Sequence, residues 1–184
     1  EILRGMLKYS NNLTAEIVGM TASARRRGRS LPLRASAMEM SAWAHSRLGM
    51  KGVRLVDHSG LGENSRMTAE AMAVALARVH GEDRLKPLLK PVKLRDAEGR
   101  VNADHPIKVT AKTGTLYFVS TLAGYMSSGD GTELAFAIFA DNPALRSEID
   151  RSRGGRPDGA RAWNSRAKKL QQKLIERWGG LYGG

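Results

Sequence analysis

The chain has 184 residues, 41% of them hydrophobic and 26% charged, which suits one globular domain or a large piece of one. It contains no cysteine, which excludes disulfides and thiolate metal sites, and it has no apolar run near the ~18 residues of a bilayer-spanning helix. Thirty Lys plus Arg against eighteen Asp plus Glu give a formal net charge of +12, a field that attracts polyanions without choosing among nucleic acid, anionic lipid and an acidic wall polymer.

In chain order, Met6-Leu7-Lys8-Tyr9 reads as a helix leading into the polar triplet Ser10-Asn11-Asn12, and Leu13 to Ile17 reads as a second helix leaving it. Leu13, Ile17 and Met20 recur at three-to-four-residue spacing, which predicts an amphipathic helix with those side chains in the core. The densest basic cluster, Arg25-Arg26-Arg27-Gly28-Arg29, follows it. No aromatic residue interleaves the cluster, so it reads as a solvated helix end that suits the dipole rather than a stacking platform for single strands. A second amphipathic pattern runs from Met38 through Ala42 and Trp43 to Leu48, before Gly49. Val53 to Val56 is a strand candidate, and Asp57-His58-Ser59-Gly60-Leu61-Gly62 is turn-rich. No general base accompanies Ser59 at a fixed spacing, so it is not read as a nucleophile.

A helix is predicted from Ala69 to about Val79. Pro87, Pro91 and Pro106 with Gly81 and Gly99 then break Leu85 to His105 into a loop with a brief helix or hairpin. Three strands follow: Ile107 to Thr113, Val119 to Ser127 and Glu133 to Asp141, the last two joined by the turn signal Ser128 to Thr132. Their apolar character on both faces predicts an antiparallel sheet flanked by helices, an α/β (α+β) fold. Asp150 to Gly159 reads as a flexible loop. Asp158 is the expected N-cap of a final helix from about Ala160 to Trp178, with Trp163, Leu170, Leu174 and Trp178 on the sheet. The four histidines, His45, His58, His80 and His105, show no ligand spacing, and no metal or other cofactor is expected.

Lys112-Thr113-Gly114-Thr115 lies in a strand-like run that begins with the first strand. Ser-x-Asn followed by Lys-Thr-Gly is the order of two of the three elements of penicillin-recognising serine enzymes, whose Ser-x-x-Lys nucleophile comes first. The stretches MLKYSNNLTAE, VDHSGLGENSRMTAEAM, KTGTLYFVSTLAGYM and ELAFAIFADN, in this order, resemble the C-terminal half of the D-alanyl-D-alanine carboxypeptidase/endopeptidase family of low-molecular-mass penicillin-binding proteins, peptidase family S13. The resemblance covers Glu1 to about Asn142 and implies part of a penicillin-binding protein/serine β-lactamase-like transpeptidase domain. It departs at Asn11, where the family usually has Asp.

The larger departure is the absent Ser-x-x-Lys. Ser165-Arg166-Ala167-Lys168 has the letters but follows Lys-Thr-Gly and lies in a basic helix, so it is not read as the nucleophile. Residues 1–184 are therefore expected to be the C-terminal portion of one such domain, partnered by an N-terminal half of the same protein that carries Ser-x-x-Lys. The resemblance implies that Ser10 relays a proton, Asn12 holds the substrate amide, and Lys112 orients Ser10 and raises the local potential. It further implies that Thr113 and Thr115 bind the substrate carboxylate and that Gly114 lets ligand approach the strand. Peptidoglycan peptides and β-lactams are the expected ligands, the periplasm the expected location, and the region alone is expected to be inactive. The chain opens on Glu1 without a charged-then-apolar leader, so any export signal is expected outside it. Other readings are a serine β-lactamase or esterase of the same superfamily, a non-catalytic peptidoglycan-binding subunit, and a nucleic-acid-binding domain. No specific nucleic acid is expected.

Overall fold

A computed structural model describes residues 1–82, 84–149 and 155–183. They form two compact units, Glu1–Lys90 and Pro91–Gly184.

The first unit is helical. α1 spans Ile2–Tyr9, α2 Asn12–Arg27, α3 Leu33–Leu48 and α4 Ala69–His80, followed by a 3-10 turn at Lys86–Leu88. Thr68 caps α4 by accepting from the Ala71 N–H at 3.0 Å, and Gly28 and Gly49 end α2 and α3 in the left-handed conformation. Arg25, Arg26 and Arg27 occupy the last turn of α2, where cations meet the negative end of the dipole, and Arg27 pairs with Glu39 of α3. Ala44, Met50, Ala71 and Ala75 form the apolar core, with Trp43, Leu48, Val53, Met67 and Met72 against it.

The packing of α2 differs from the expected pattern. Leu13 is 70% and Ile17 56% exposed, and the buried residue of α2 is Ser23. The face that packs on α3 is built of small residues, which let two helices approach closely. It is closed by a polar chain: Ser23 Oγ lies 2.6 Å from Ser36 Oγ, and Ser36 Oγ lies 2.8 Å from His58 Nε2. Buried hydroxyls require such partners. Likewise Met38 and Ala42 are exposed on α3, while Ala37 and Ala44 are buried. The strand expected at Val53 to Val56 is only a bridge between Arg54 and Arg66.

The second unit is a sheet with its closing helix. The strands run in the order β1 (Lys90–Val92), β2 (Lys108–Leu116), β3 (Val119–Ser127) and β4 (Glu133–Asp141), and β3 is antiparallel to both β2 and β4. The expected limits of β3 and β4 hold, whereas β2 continues three residues past Thr113 because its ladder with β3 extends to Leu116↔Val119. The Leu85 to His105 region contains the 3-10 turn, β1 and a bridge between Arg95 and Val101. In the turn after β3, Asp130 accepts from Ser128 Oγ and from the Thr132 N–H and hydroxyl, and these bonds, the Ser128 one foremost, hold its carboxyl below the usual range.

α5 spans Pro143–Ser147, and α6 spans Ala160–Tyr182, four residues beyond the expected end. Its N-cap is Gly159, with φ 73°, and not Asp158, which makes no cap bond there. Of the loop expected at 150–159, residues 150–154 lie outside the described residues. α6 packs Ile175 into a cluster with Val109, Ala111, Leu122, Met126, Phe136 and Ile138, with Leu174 and Trp178 alongside. Trp163 stacks edge-on against Phe118 at 6.3 Å. Leu170, expected on the sheet, is 49% exposed. Gln171 is buried instead and donates to Ser120 Oγ at 3.1 Å.

At the Ala111↔Gly124 pair of β2 and β3, a Cβ on Gly124 would lie 2.2 Å from the Thr110 carbonyl oxygen and 2.6 Å from Ala111 Cα. Backbone atoms of a central ladder have little room to yield. Gly124→Ala should therefore destabilise the protein by at least the ~1–3 kcal/mol usual for overpacking, read as a lowered urea midpoint. Gly5→Ala, in the interior of α1 with no atom within 4 Å of the added methyl, should leave the midpoint unchanged or raised.

A pH dependence follows from His58. Burial pushes its pKa below the ordinary 6.5, against the opposing pull of the Glu16 and Asp57 carboxylates. A histidine depressed in the folded state is protonated first in the unfolded chain, so stability is present above 6.5 and declines as pH falls below it. Urea midpoints should fall between about pH 7.5 and about pH 5, and His58→Gln should flatten that slope. An unchanged slope in the variant would assign the pH dependence to other groups.

Candidate active site

Ser10 and Asn12 occupy the corner between α1 and α2. Ser10 is the C-cap of α1 at φ 53°, ψ 48°, a left-handed conformation that a non-glycine residue adopts at some cost. The Asn11 N–H bonds back to the Met6 carbonyl at 3.2 Å. Asn11 is the N-cap of α2, and its side chain accepts from the Thr14 N–H at 2.8 Å. Asn and Asp cap equally well, so the departure at this position preserves the local structure. Asn12 is the first residue of α2. Ser10 and Asn12 are both exposed, at a helix N-terminus whose dipole favours negative charge.

The Asp57 to Gly62 turn braces α2. Glu16 Oε2 accepts from the His58 N–H and Oε1 from the Ser59 N–H, both at 3.0 Å. The His58 ring lies against Gly19, where a Cβ would come within 2.1 Å of it. Asp57, only 8% exposed, accepts from the Gly62 N–H at 2.6 Å and from the hydroxyls of Ser59 and Ser65. The Ser59 hydroxyl is thus spent on the turn. Ser36 forms a Ser–His pair with His58 but is 0% exposed, so no substrate reaches it. Glu16, Gly19 and His58 are contributors that sequence reading missed. Glu16 sits at a helix position where a solvated carboxylate is the ordinary expectation, and nothing local marks its partner.

Lys112, Thr113, Gly114 and Thr115 lie on β2, and the pleat divides them. Thr113 pairs with Leu122 and Thr115 with Ser120, on the face that carries α6, whereas Lys112 pairs with Ala123 and Gly114 with Thr121 on the other. Lys112 is half-buried beside the small Ala123, and its Nζ donates to the Thr113 carbonyl. Gly114 has a requirement of its own: a Cβ there would lie 2.3 Å from Thr121 Oγ1. The Thr121 hydroxyl therefore sits over Gly114 on the lysine's face, a polar contributor found only through the register.

Thr115 is exposed and opens onto a cleft of about 1410 Å³ between the β2–β3 turn and the start of α6. Arg146, Arg156, Arg161 and Lys168 line it, against Glu148 and Asp158, so its charge is positive. Arg146 donates to the Tyr117 carbonyl at 2.8 Å. Ser165 and Lys168 lie on the exposed side of α6 in this cleft. Among the described residues no three of His, Asp and Glu gather as metal ligands, and no helix is long and apolar enough to cross a membrane.

These geometries meet an independent likeness. The carboxypeptidase DacB of Mycolicibacterium smegmatis is 29% identical over 164 residues, 82% of this chain and 35% of that protein. Penicillin binding protein 4 (dacB) from Haemophilus influenzae has the same fold, with a TM-score of 0.70 at 18% identity, over 95% of this chain and 39% of that one. A penicillin G acylated predatory endopeptidase from Bdellovibrio bacteriovorus superposes with a TM-score of 0.57 at 19% identity, over 96% of this chain and 45% of that one. The chain thus spans about a third of the length of the curated relative. The family model of the D-Ala-D-Ala carboxypeptidase 3 (S13) family matches residues 1–157, and the chain belongs to that family.

Proposed function

We propose that this region supplies the Ser-x-Asn and Lys-Thr-Gly sides of a serine-type D-Ala-D-Ala carboxypeptidase/endopeptidase that acts on peptidoglycan peptides through an acyl-enzyme. The nucleophile and its lysine come from a Ser-x-x-Lys segment of the parent protein. The observation that carries the reading is Ser10 held left-handed between two helices with Asn12 heading the second, a strained and exposed polar corner.

In this scheme the serine oxygen attacks the carbonyl of the penultimate D-Ala. Its proton passes through Ser10, whose hydroxyl both accepts and donates, to the departing amine. The carbon–nitrogen bond breaks, D-Ala or the cross-linked peptide leaves, and water hydrolyses the acyl-enzyme. Asn12 bonds the substrate amide without adding charge. Lys112 orients Ser10 and attracts the terminal carboxylate, to which the hydroxyls of Thr113 and Thr115 donate. The Thr115 N–H is one oxyanion donor, the nucleophile's own N–H the other, and loss of one such donor costs ~10²–10³ in turnover. The same serine opens β-lactams into stable acyl-enzymes. A peptidoglycan substrate places the reaction outside the cytoplasm, in the periplasm.

Two results test this. Residues 1–184 alone should take up no fluorescent penicillin covalently, whereas the parent protein with its Ser-x-x-Lys segment should be labelled to one equivalent. Stoichiometric labelling of the region alone would place a nucleophile within it and refute the division. In the parent protein, Lys112→Ala and Ser10→Ala should each slow penicillin acylation by about 10²-fold or more while the thermal midpoint moves only a few degrees. Acylation of Lys112→Ala at the wild-type rate would remove this lysine from the site.

A further inference from the structure

The stripe of α2 that faces the rest of its unit is Glu16, Gly19 and Ser23, at i, i+3 and i+7. All three contacts are polar or side-chain-free, while Leu13 and Ile17, the bulkiest apolar residues of the first two turns, stay exposed. One of these contacts sets how α2 is rotated within its unit.

We propose that Glu16 is the positioning residue that does so: its carboxylate, gripped by the backbone N–H groups of His58 and Ser59, fixes the rotation and axial position of α2 and thereby aims Ser10 and Asn12. This inference rests on the reading of Ser10 and Asn12 as reacting groups. Glu16 lies one helical turn from Asn12, so its anchorage passes to the start of α2 through a single set of backbone hydrogen bonds. Its two oxygens take two different donors 42 and 43 residues away, which fixes both the distance and the direction of the side chain. Hydrogen bonds to an ionised acceptor are the stronger kind. The gripping turn is itself held from behind by Asp57, whose carboxylate gathers the Gly62 N–H and the Ser59 and Ser65 hydroxyls. Glu16 touches no substrate in this scheme and acts only through the helix.

The test uses the parent protein containing its Ser-x-x-Lys segment, with fluorescent penicillin as the probe and rates taken well below the thermal midpoint. Glu16→Gln turns one acceptor oxygen into an amide that faces a backbone N–H with its own N–H. It should slow acylation by about 10- to 100-fold, as small displacements of reacting groups do. Glu16→Asp, which keeps the carboxylate, should recover part of the rate. Amide exchange at His58 and Ser59 should accelerate in the same order. Ser41→Ala is the stability control. It removes the acceptor of the Leu55 N–H and loosens the same loop without touching α2, so it should lower the midpoint and keep the acylation rate. If Glu16→Gln acylates as fast as Ser41→Ala while Ser10→Ala is impaired, the positioning role is wrong and the site reading stands. If the wild type is not acylated, or Ser10→Ala matches it, the site reading itself fails and the proposal falls with it. Should Glu16→Gln not fold, Glu16→Asp decides: faster exchange at His58 and Ser59 with an unchanged acylation rate overturns the proposal.

Discussion

Contacts in which one partner has no side chain govern where the polar motifs lie. Gly124 brings β3 against the backbone of β2, and this fixes the ladder on which Lys112 to Thr115 are placed. Gly114 admits the Thr121 hydroxyl, and Gly19 admits the His58 ring to α2. At each point the approach is shorter than a Cβ tolerates, so the geometry is imposed by steric exclusion, the least adjustable of the forces in a packed interior.

On that steric frame the electrostatics are local. The carboxylates with structural duties each collect backbone N–H groups: Glu16 from His58 and Ser59, Asp57 from Gly62, and Asp130 from Thr132. An ionised acceptor bonded to main-chain donors immobilises a turn more effectively than an exposed ion pair does. The basic surplus falls elsewhere, in the last turn of α2 and along the cleft that begins at Thr115.

Ser10 combines strain with exposure. Its left-handed backbone joins two helices through a single extended residue, Asn11, whose side-chain oxygen caps α2. The three letters of the triplet thus divide: the outer two are exposed, and the middle one is committed to the helix. Asp or Asn serves there because the duty is a cap bond, for which the charge is unnecessary.

How much was legible depended on whether the signal was local. The limits of β3 and β4 were readable because apolar runs and a Ser-Gly-Asp-Gly turn are written in consecutive residues, and the helix expected from Ala69 to about Val79 ends one residue later, at His80. The polar triplet and Lys-Thr-Gly were likewise visible in the sequence, as was their order. The sequence by itself therefore determined the periods, the turns and the order of the two polar motifs. The tertiary structure alone decided that α2 buries Ser23 and turns Gly19 to the His58 ring rather than burying Leu13 and Ile17, that Leu170 yields its place to Gln171, that Thr121 lies over Gly114, and that Glu16 is held by a turn more than forty residues away. Periodicity says that a helix has two faces, but which face is covered depends on the shape and donors of a partner distant in the chain, and no local pattern encodes that partner.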